Sequence, residues 1–313
     1  MSPPGGRGAI DVHAHHLPAS YCEALLRHGH DRPDGFPHIP EWSAEEHVAA
    51  MDRLGIATSM LSISSPGVAL DAEGAGAVEL ARAVNEEGRR AVVDHPGRFG
   101  LFASLPLPDV DAAMAEIAHC CENLDVDGFA LLTNVGGTYL GDPSLAPVWA
   151  ELDRRRARVF VHPTSPPCWE HTSLGRPRPM VEFLFDTTRA VIDLVLSGTI
   201  ARHPGIALIV PHGGATLPMV ADRVGVFSLL LDVGPEVDVL RDLARLHYDL
   251  AGYPLPRQLD ALLTMVAPEH LHYGSDYPFT PELAVAASRD RLAEAGDLLA
   301  GLRANTDALL ART

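Results

Sequence analysis

Short runs of Val, Ile, Leu, Ala and Phe recur along this chain, and between them the apolar positions settle into steps of three and four. The first pattern reads as buried β-strand and the second as the inward face of an α-helix. Eight strands are predicted, over residues 10–15, 58–63, 99–105, 128–132, 159–162, 207–211, 246–250 and 271–274. Helices are predicted between and after them, over 44–54, 72–94, 110–123, 145–156, 180–202, 217–231, 256–266 and 281–295. A closing helix over 298–310 is expected to pack outside the others. Strands that alternate with helices and are apolar on both faces imply a parallel sheet wrapped by helices.

Gly and Pro punctuate the joins, as in Asp94-His-Pro-Gly-Arg98 and Arg202-His-Pro-Gly205. No internal repeat, charge block or low-complexity linker interrupts the pattern, so residues 1–313 are expected to form a single domain. Two excursions depart from it, 17–43 after the first strand and 163–179 after the fifth. The expectation is α/β, a single (β/α)8 TIM barrel with rim-loop insertions after strands 1 and 5. Long loops at that rim are usually walls or lids.

The polar residues that break the apolar runs carry the chemistry. His13 and His15 lie two apart on the first strand, so their imidazoles enter one space. His162, His212 and Asp276 each close a later apolar run, about four, five and seven strand-helix units of roughly 30 to 40 residues further on. Only closure of the strands into a barrel brings the five together, at the carboxyl-end rim where barrel enzymes keep their catalytic groups. They read as one metal site. Asp11, one step deeper on the same predicted face as His13, is expected to support it.

Composition narrows the partners. The net charge of −17 repels phosphate backbones and argues against nucleic acid or an anionic membrane. All 24 basic residues are arginine, so no Schiff-base lysine and no carbamylated lysine bridging two metals exists, and a single ion is favoured. Cys22, Cys120, Cys121 and Cys168 lack disulfide-like spacing, and no apolar stretch approaches the roughly 20 residues needed to span a bilayer. A cytoplasmic protein is expected.

The segments Asp11-Val-His-Ala-His15, Val161-His-Pro163, Pro211-His-Gly-Gly214 and Gly274-Ser-Asp-Tyr-Pro278 resemble the amidohydrolase superfamily over nearly the whole chain. Within it the resemblance is to the metal-dependent non-oxidative decarboxylases, aminocarboxymuconate-semialdehyde decarboxylase and its relatives. Ser62-Ile-Ser-Ser-Pro-Gly67, Ser104-Leu-Pro-Leu-Pro108 and Phe185-Asp-Thr-Thr-Arg189 look most like the 6-methylsalicylate branch. The resemblance implies His13, His15, His162 and Asp276 as metal ligands and His212 as a catalytic residue. It implies one divalent ion, Zn²⁺ or Mn²⁺. Arg223 matches an arginine that reaches a partner subunit's site, which implies a homodimer. The family arginine that grips a substrate carboxylate falls near His47 here.

These readings converge on a carbon-carbon lyase that removes CO₂ from a small hydroxylated aromatic acid of the salicylate type. The ion would chelate carboxylate and phenolate, with Asp276 and His212 handling the proton. A hydrolase of lactones, esters or amides using the same site is the alternative. His16, Trp42 and Trp169 are expected at the substrate, and Arg189 as an anchor for its carboxylate or, equally, in an ion pair with Asp186 or Asp193. His95, His119, His203, His247 and His270 are read as structural residues in turns or helices.

Overall fold

The computed structural model describes residues 8–71, 74, 76–231, 233–295 and 298–311. Eight parallel strands follow one another in sequence order: β1 (Ala9–His15), β2 (Ile56–Ser62), β3 (Phe99–Ser104), β4 (Gly128–Leu132), β5 (Arg158–His162), β6 (Ala207–Val210), β7 (His247–Asp249) and β8 (Leu271–His272). The sheet curls until its edges meet, through bridges Asp11 to Tyr273 and Ala14 to Tyr277 and the bonds Val12 N–H to Tyr273 O (2.9 Å) and His15 N–H to Tyr277 O (2.8 Å). This is a (β/α)8 barrel, as the pattern predicts. Among the described residues, no helix is long and apolar enough to cross a membrane.

Alternation along the strands builds two cores. Leu101, Phe129, Leu131, Val159, Val161, Leu208 and Val210 face the surrounding helices, while Phe102, Phe160 and Ile209 fill the barrel with Ile10, Val12 and Met60. The β1 register against β2 slips between Asp11 and Ala14, a bulge that puts one extra residue on β1. Val12 therefore belongs to the interior layer while His13 and His15 still share the site above it. Asp11, expected on the face of the histidines, instead turns to the β1–β8 seam. There it accepts from Ser275 N–H (3.0 Å), Ser275 Oγ and His13 N–H (3.0 Å).

Other departures have local causes. The helix expected over 180–202 is Glu182–Leu196 and Thr199–Arg202, interrupted at Gly198 with φ 74°. Positions 72, 73 and 75, where the second predicted helix begins, lie outside the described residues, and the helix runs Ala77–Asp94. The first excursion holds the helix Ala19–Arg27 and the turn Pro33–Gly35; the second holds Trp169–Thr172 and Arg178–Met180. His247 lies on a strand, not in a turn.

The closing helix, Leu298–Leu310, corrects the expectation that it packs outside. Leu309 enters the interior cluster, and Arg158 grips the helix end by donating to Leu309 O (3.0 Å) and Leu310 O (2.5 Å). The helix thus packs across the amino-terminal mouth, opposite the rim that carries the polar cluster.

Candidate metal centre and substrate cavity

The carboxyl ends of β1 and β5 and the segment after β8 bring His13, His15, His162 and Asp276 together, their ligand atoms all within 4.8 Å of one another. Each imidazole is turned by a bond at Nδ1. His13 Nδ1 meets Asp249 Oδ2 (2.9 Å), His15 Nδ1 meets Ser62 O (3.3 Å) and Ser62 Oγ (3.1 Å), and His162 Nδ1 meets Pro163 O (2.7 Å). The acceptors are oxygens, so Nδ1 carries a hydrogen in each ring and Nε2 points inward, the nitrogen that would meet a cation.

Asp276 Oδ1 sits 3.2 Å from His15 Nε2 and 3.4 Å from His13 Nε2, while Oδ2 accepts from Thr280 Oγ1 (3.2 Å) and lies 3.8 Å from His212 Nε2. Burial alone would raise the Asp276 carboxyl, but the imidazoles of His13, His15 and His212 gathered around it hold it well below the usual range. Burial lowers His15 and His162, so both are neutral ligands in waiting. Burial opposes charge on His13 too, yet Asp249 and Asp276 raise it to about 10.

The set fits a divalent cation. Three Nε2 atoms and one carboxylate oxygen converge, and His13 Nε2 is buried with no hydrogen-bond partner among the described residues. An orphaned buried nitrogen is costly unless something binds it.

His212 stands beside this cluster, its ring centroid 5.0 Å from that of His13. Both His212 (φ 54°) and Asp276 (φ 60°) occupy the left-handed region, a strained backbone that marks sites where surroundings impose a side-chain direction. For His212 the surroundings are specific: its N–H donates to Asp249 Oδ1 (3.0 Å), and Gln258 Nε2 donates to its carbonyl.

Asp249 is the residue that sequence reasoning missed. One buried carboxylate orients His13 through Oδ2 and holds His212 and Ala251 N–H (2.9 Å) through Oδ1. A lone carboxylate ending the apolar seventh strand was the available signal.

Above the cluster opens a cavity of about 480 Å³, the size range of small-ligand sites. His162, His212 and Asp276 line one end, and Phe36, Phe183, Phe279 and Met180 supply apolar walls. Phe279 joins the two, its ring 5.6 Å from His15 and 5.6 Å from Phe36. Among the described residues, no arginine lines the cavity.

Of the expected substrate contacts, none is among its lining residues. His16 is buried and turned to Val84 O (3.1 Å), and Trp42 donates to His47 Nδ1 (2.9 Å) while packing on the core. Trp169 lies under the Arg178 guanidinium, 4.2 Å away. Arg189 takes the ion-pair alternative, donating to buried Asp186 (2.8 Å). Arg223 is exposed and stacks on Phe227 at 4.8 Å.

The model of the amidohydrolase family described as "Amidohydrolase" matches residues 10–311. The chain is 37% identical over 288 residues to decarboxylase yanB of Aspergillus niger, covering 87% of this chain and 77% of that one. It is 36% identical over 282 residues to 6-methylsalicylic acid decarboxylase of Penicillium expansum, covering 88% and 86%. A crystal structure titled as an amidohydrolase II superposes with a TM-score of 0.91 at 34% identity, covering 97% of this chain and 100% of that one. With that match spanning nearly every described residue, and the His-x-His strand and terminal Asp276 meeting in one cluster, the chain belongs to the amidohydrolase family.

Proposed function

We propose that this protein is a carboxy-lyase that removes CO₂ non-oxidatively from a small hydroxylated aromatic acid of the 6-methylsalicylate type. The observation that carries this reading is the union of a four-ligand cluster with an aromatic-walled cavity above the packed barrel interior. Relatives named as decarboxylases over most of the chain support it.

Residues His13, His15, His162 and Asp276 would hold one divalent cation, zinc being the choice that three imidazoles and a carboxylate favour and manganese the alternative. Once bound, that ion supplies a fixed positive charge and Lewis acidity beside the acid's oxygens. The chain's own groups do the rest. Phe36, Phe183 and Phe279 hold the ring and exclude water. Asp276 and His212, both at the cavity surface, handle the proton delivered to the ring carbon that bears the carboxylate. That proton makes the carbon tetrahedral; the C–C electron pair then returns to the ring as CO₂ leaves.

We further read the chain as one domain that pairs into a homodimer. The helix Leu217–Ser228 and the turn after it expose Met219 (77%), Val226 (62%), Leu229 (83%) and Leu230 (78%) near Arg223 in sequence, apolar groups suited to a second copy. The described cysteines are all free, which suits the reducing cytoplasm.

The test is turnover of 6-methylsalicylate in D₂O. CO₂ release with one deuterium on the ring carbon is expected. Release of titratable acid from a lactone or ester, with no CO₂ from any hydroxybenzoate, would replace the lyase by a hydrolase.

A further inference from the structure

Asp34 is a second carboxylate in the substrate cavity, and neither the cation cluster nor the proton chemistry uses it. It sits in the turn Pro33–Gly35 of the loop after β1, packed against Arg178–Met180 of the loop after β5. Its backbone is left-handed (φ 53°), and the turn is closed by Gly35 N–H to Arg32 O (3.0 Å) and Phe36 N–H to Pro33 O (2.8 Å). The side chain is therefore fixed rather than swinging in solvent. It is only 7% exposed.

One oxygen is occupied. Ser165 Oγ donates to Asp34 Oδ1, and Arg178 Nε in turn donates to Ser165 Oγ (3.0 Å). Arg178 reaches the serine and the Trp169 ring; its charge attracts Asp34 from behind that serine, without direct ion-pair contact between the two. Oδ2 makes no hydrogen bond among them, and the residue lines the cavity. An oxygen that a little-exposed carboxylate turns to the cavity is placed to accept from a donor on whatever fills the space beside it.

The orientation of that occupant follows from the lining. Its carboxylate belongs at the His162, His212 and Asp276 end, and the wall from Phe279 to Phe36 carries the ring towards the Pro33–Gly35 turn. With no lysine in the chain and no arginine among the described residues that line the cavity, a second anion there meets the Asp34 carboxylate directly and the Arg178 guanidinium only behind Ser165.

We propose that Asp34 is a specificity-determining residue: it accepts a hydrogen bond from a donor on the ring edge remote from the reacting carboxylate, and it excludes acids that bear a second anionic group there. This rests on the reading of the cavity as an aromatic-acid site. Selectivity here acts by repulsion as much as attraction.

The probes are 2-hydroxybenzoates with methyl, hydroxyl or carboxylate at ring position 4 or 5. They are compared in the wild type and in Asp34→Asn, Asp34→Leu and Ser165→Ala, by kcat/KM from CO₂ release. Equilibrium binding is measured in parallel in a His212→Ala background, where turnover is slow. Ratios between acids cancel general losses of folding or activity. In the wild type the hydroxyl acid of one series is expected to bind best and both dicarboxylates worst. Asp34→Asn should raise the carboxylate-to-methyl ratio by about tenfold or more, the scale of an unpaired or repelled buried charge. Asp34→Leu should erase the hydroxyl preference, and Ser165→Ala should keep both discriminations.

Ratios unchanged within about twofold in Asp34→Asn would overturn the assignment. So would the same shift in Ser165→Ala, since Asp34 would then only latch the two loops. If the acids bind with the expected ratios but none releases CO₂, Asp34 keeps its role and the lyase reading falls.

Discussion

The two ends of this barrel both carry buried histidines, and they treat them in opposite ways. At the amino-terminal mouth, His247 Nδ1 meets His272 Nε2 (2.9 Å) and His272 Nδ1 meets Thr306 Oγ1 (2.9 Å) of the plugging helix. Polar groups there partner one another. At the carboxyl-end rim, His13, His15 and His162 are each turned by a bond at Nδ1 and converge with Asp276 on one space, leaving His13 Nε2 and His212 Nδ1 without hydrogen-bond partners among the described residues. The lesson is that a histidine cluster signals function by its unspent valence, not by its composition.

Breaking the rim should remove chemistry and spare the fold. His13→Ala and Asp276→Asn are expected to lower turnover by at least roughly 10³-fold, within the range of lost proton-transfer groups and beyond it once the ligand set fails. Thermal melts should remain cooperative, because rim residues contribute little to a barrel's core. His212→Ala is expected to retain the ion and lose roughly 10²-fold in turnover, read from kinetics beside metal analysis. Loss of the ion in that variant would make His212 a ligand. Asp249→Asn weakens the group that orients both His13 and His212, so affinity for zinc in a chelator competition should fall about 10- to 100-fold.

Breaking the opposite end should do the reverse. Leu309→Ala removes a side chain from the interior cluster and should cost about 2 to 5 kcal/mol in denaturant melts, with kcat per folded molecule unchanged. A comparable loss of kcat would show that the plug shapes the site.

How much of this was legible in the sequence follows the same division. His13, His15, His162, His212 and Asp276 announce themselves because each ends an apolar strand, and strand ends of a parallel barrel must share a rim. The strand order was legible for the same reason. Asp249 and Asp34 were not, since an isolated carboxylate gains meaning only from what the fold sets beside it. The Asp11 face was misjudged because a single inserted residue in β1 resets the two-residue period. The closing helix carries an apolar stripe that fits a barrel mouth as well as its flank. His16, Trp42, Trp169 and Arg189 had chemistry that suited a substrate, but His16 meets Val84 O of the helix after β2, and the other three meet partners within nine residues in sequence.

The most direct test of the central claim, that four side chains hold a single divalent cation, is elemental analysis of the purified, undialysed protein beside its His13→Ala variant. The expected result is one transition-metal ion per chain in the wild type and a loss of it in the variant. A wild type without a stoichiometric ion, and without activity when zinc or manganese is restored, would contradict it.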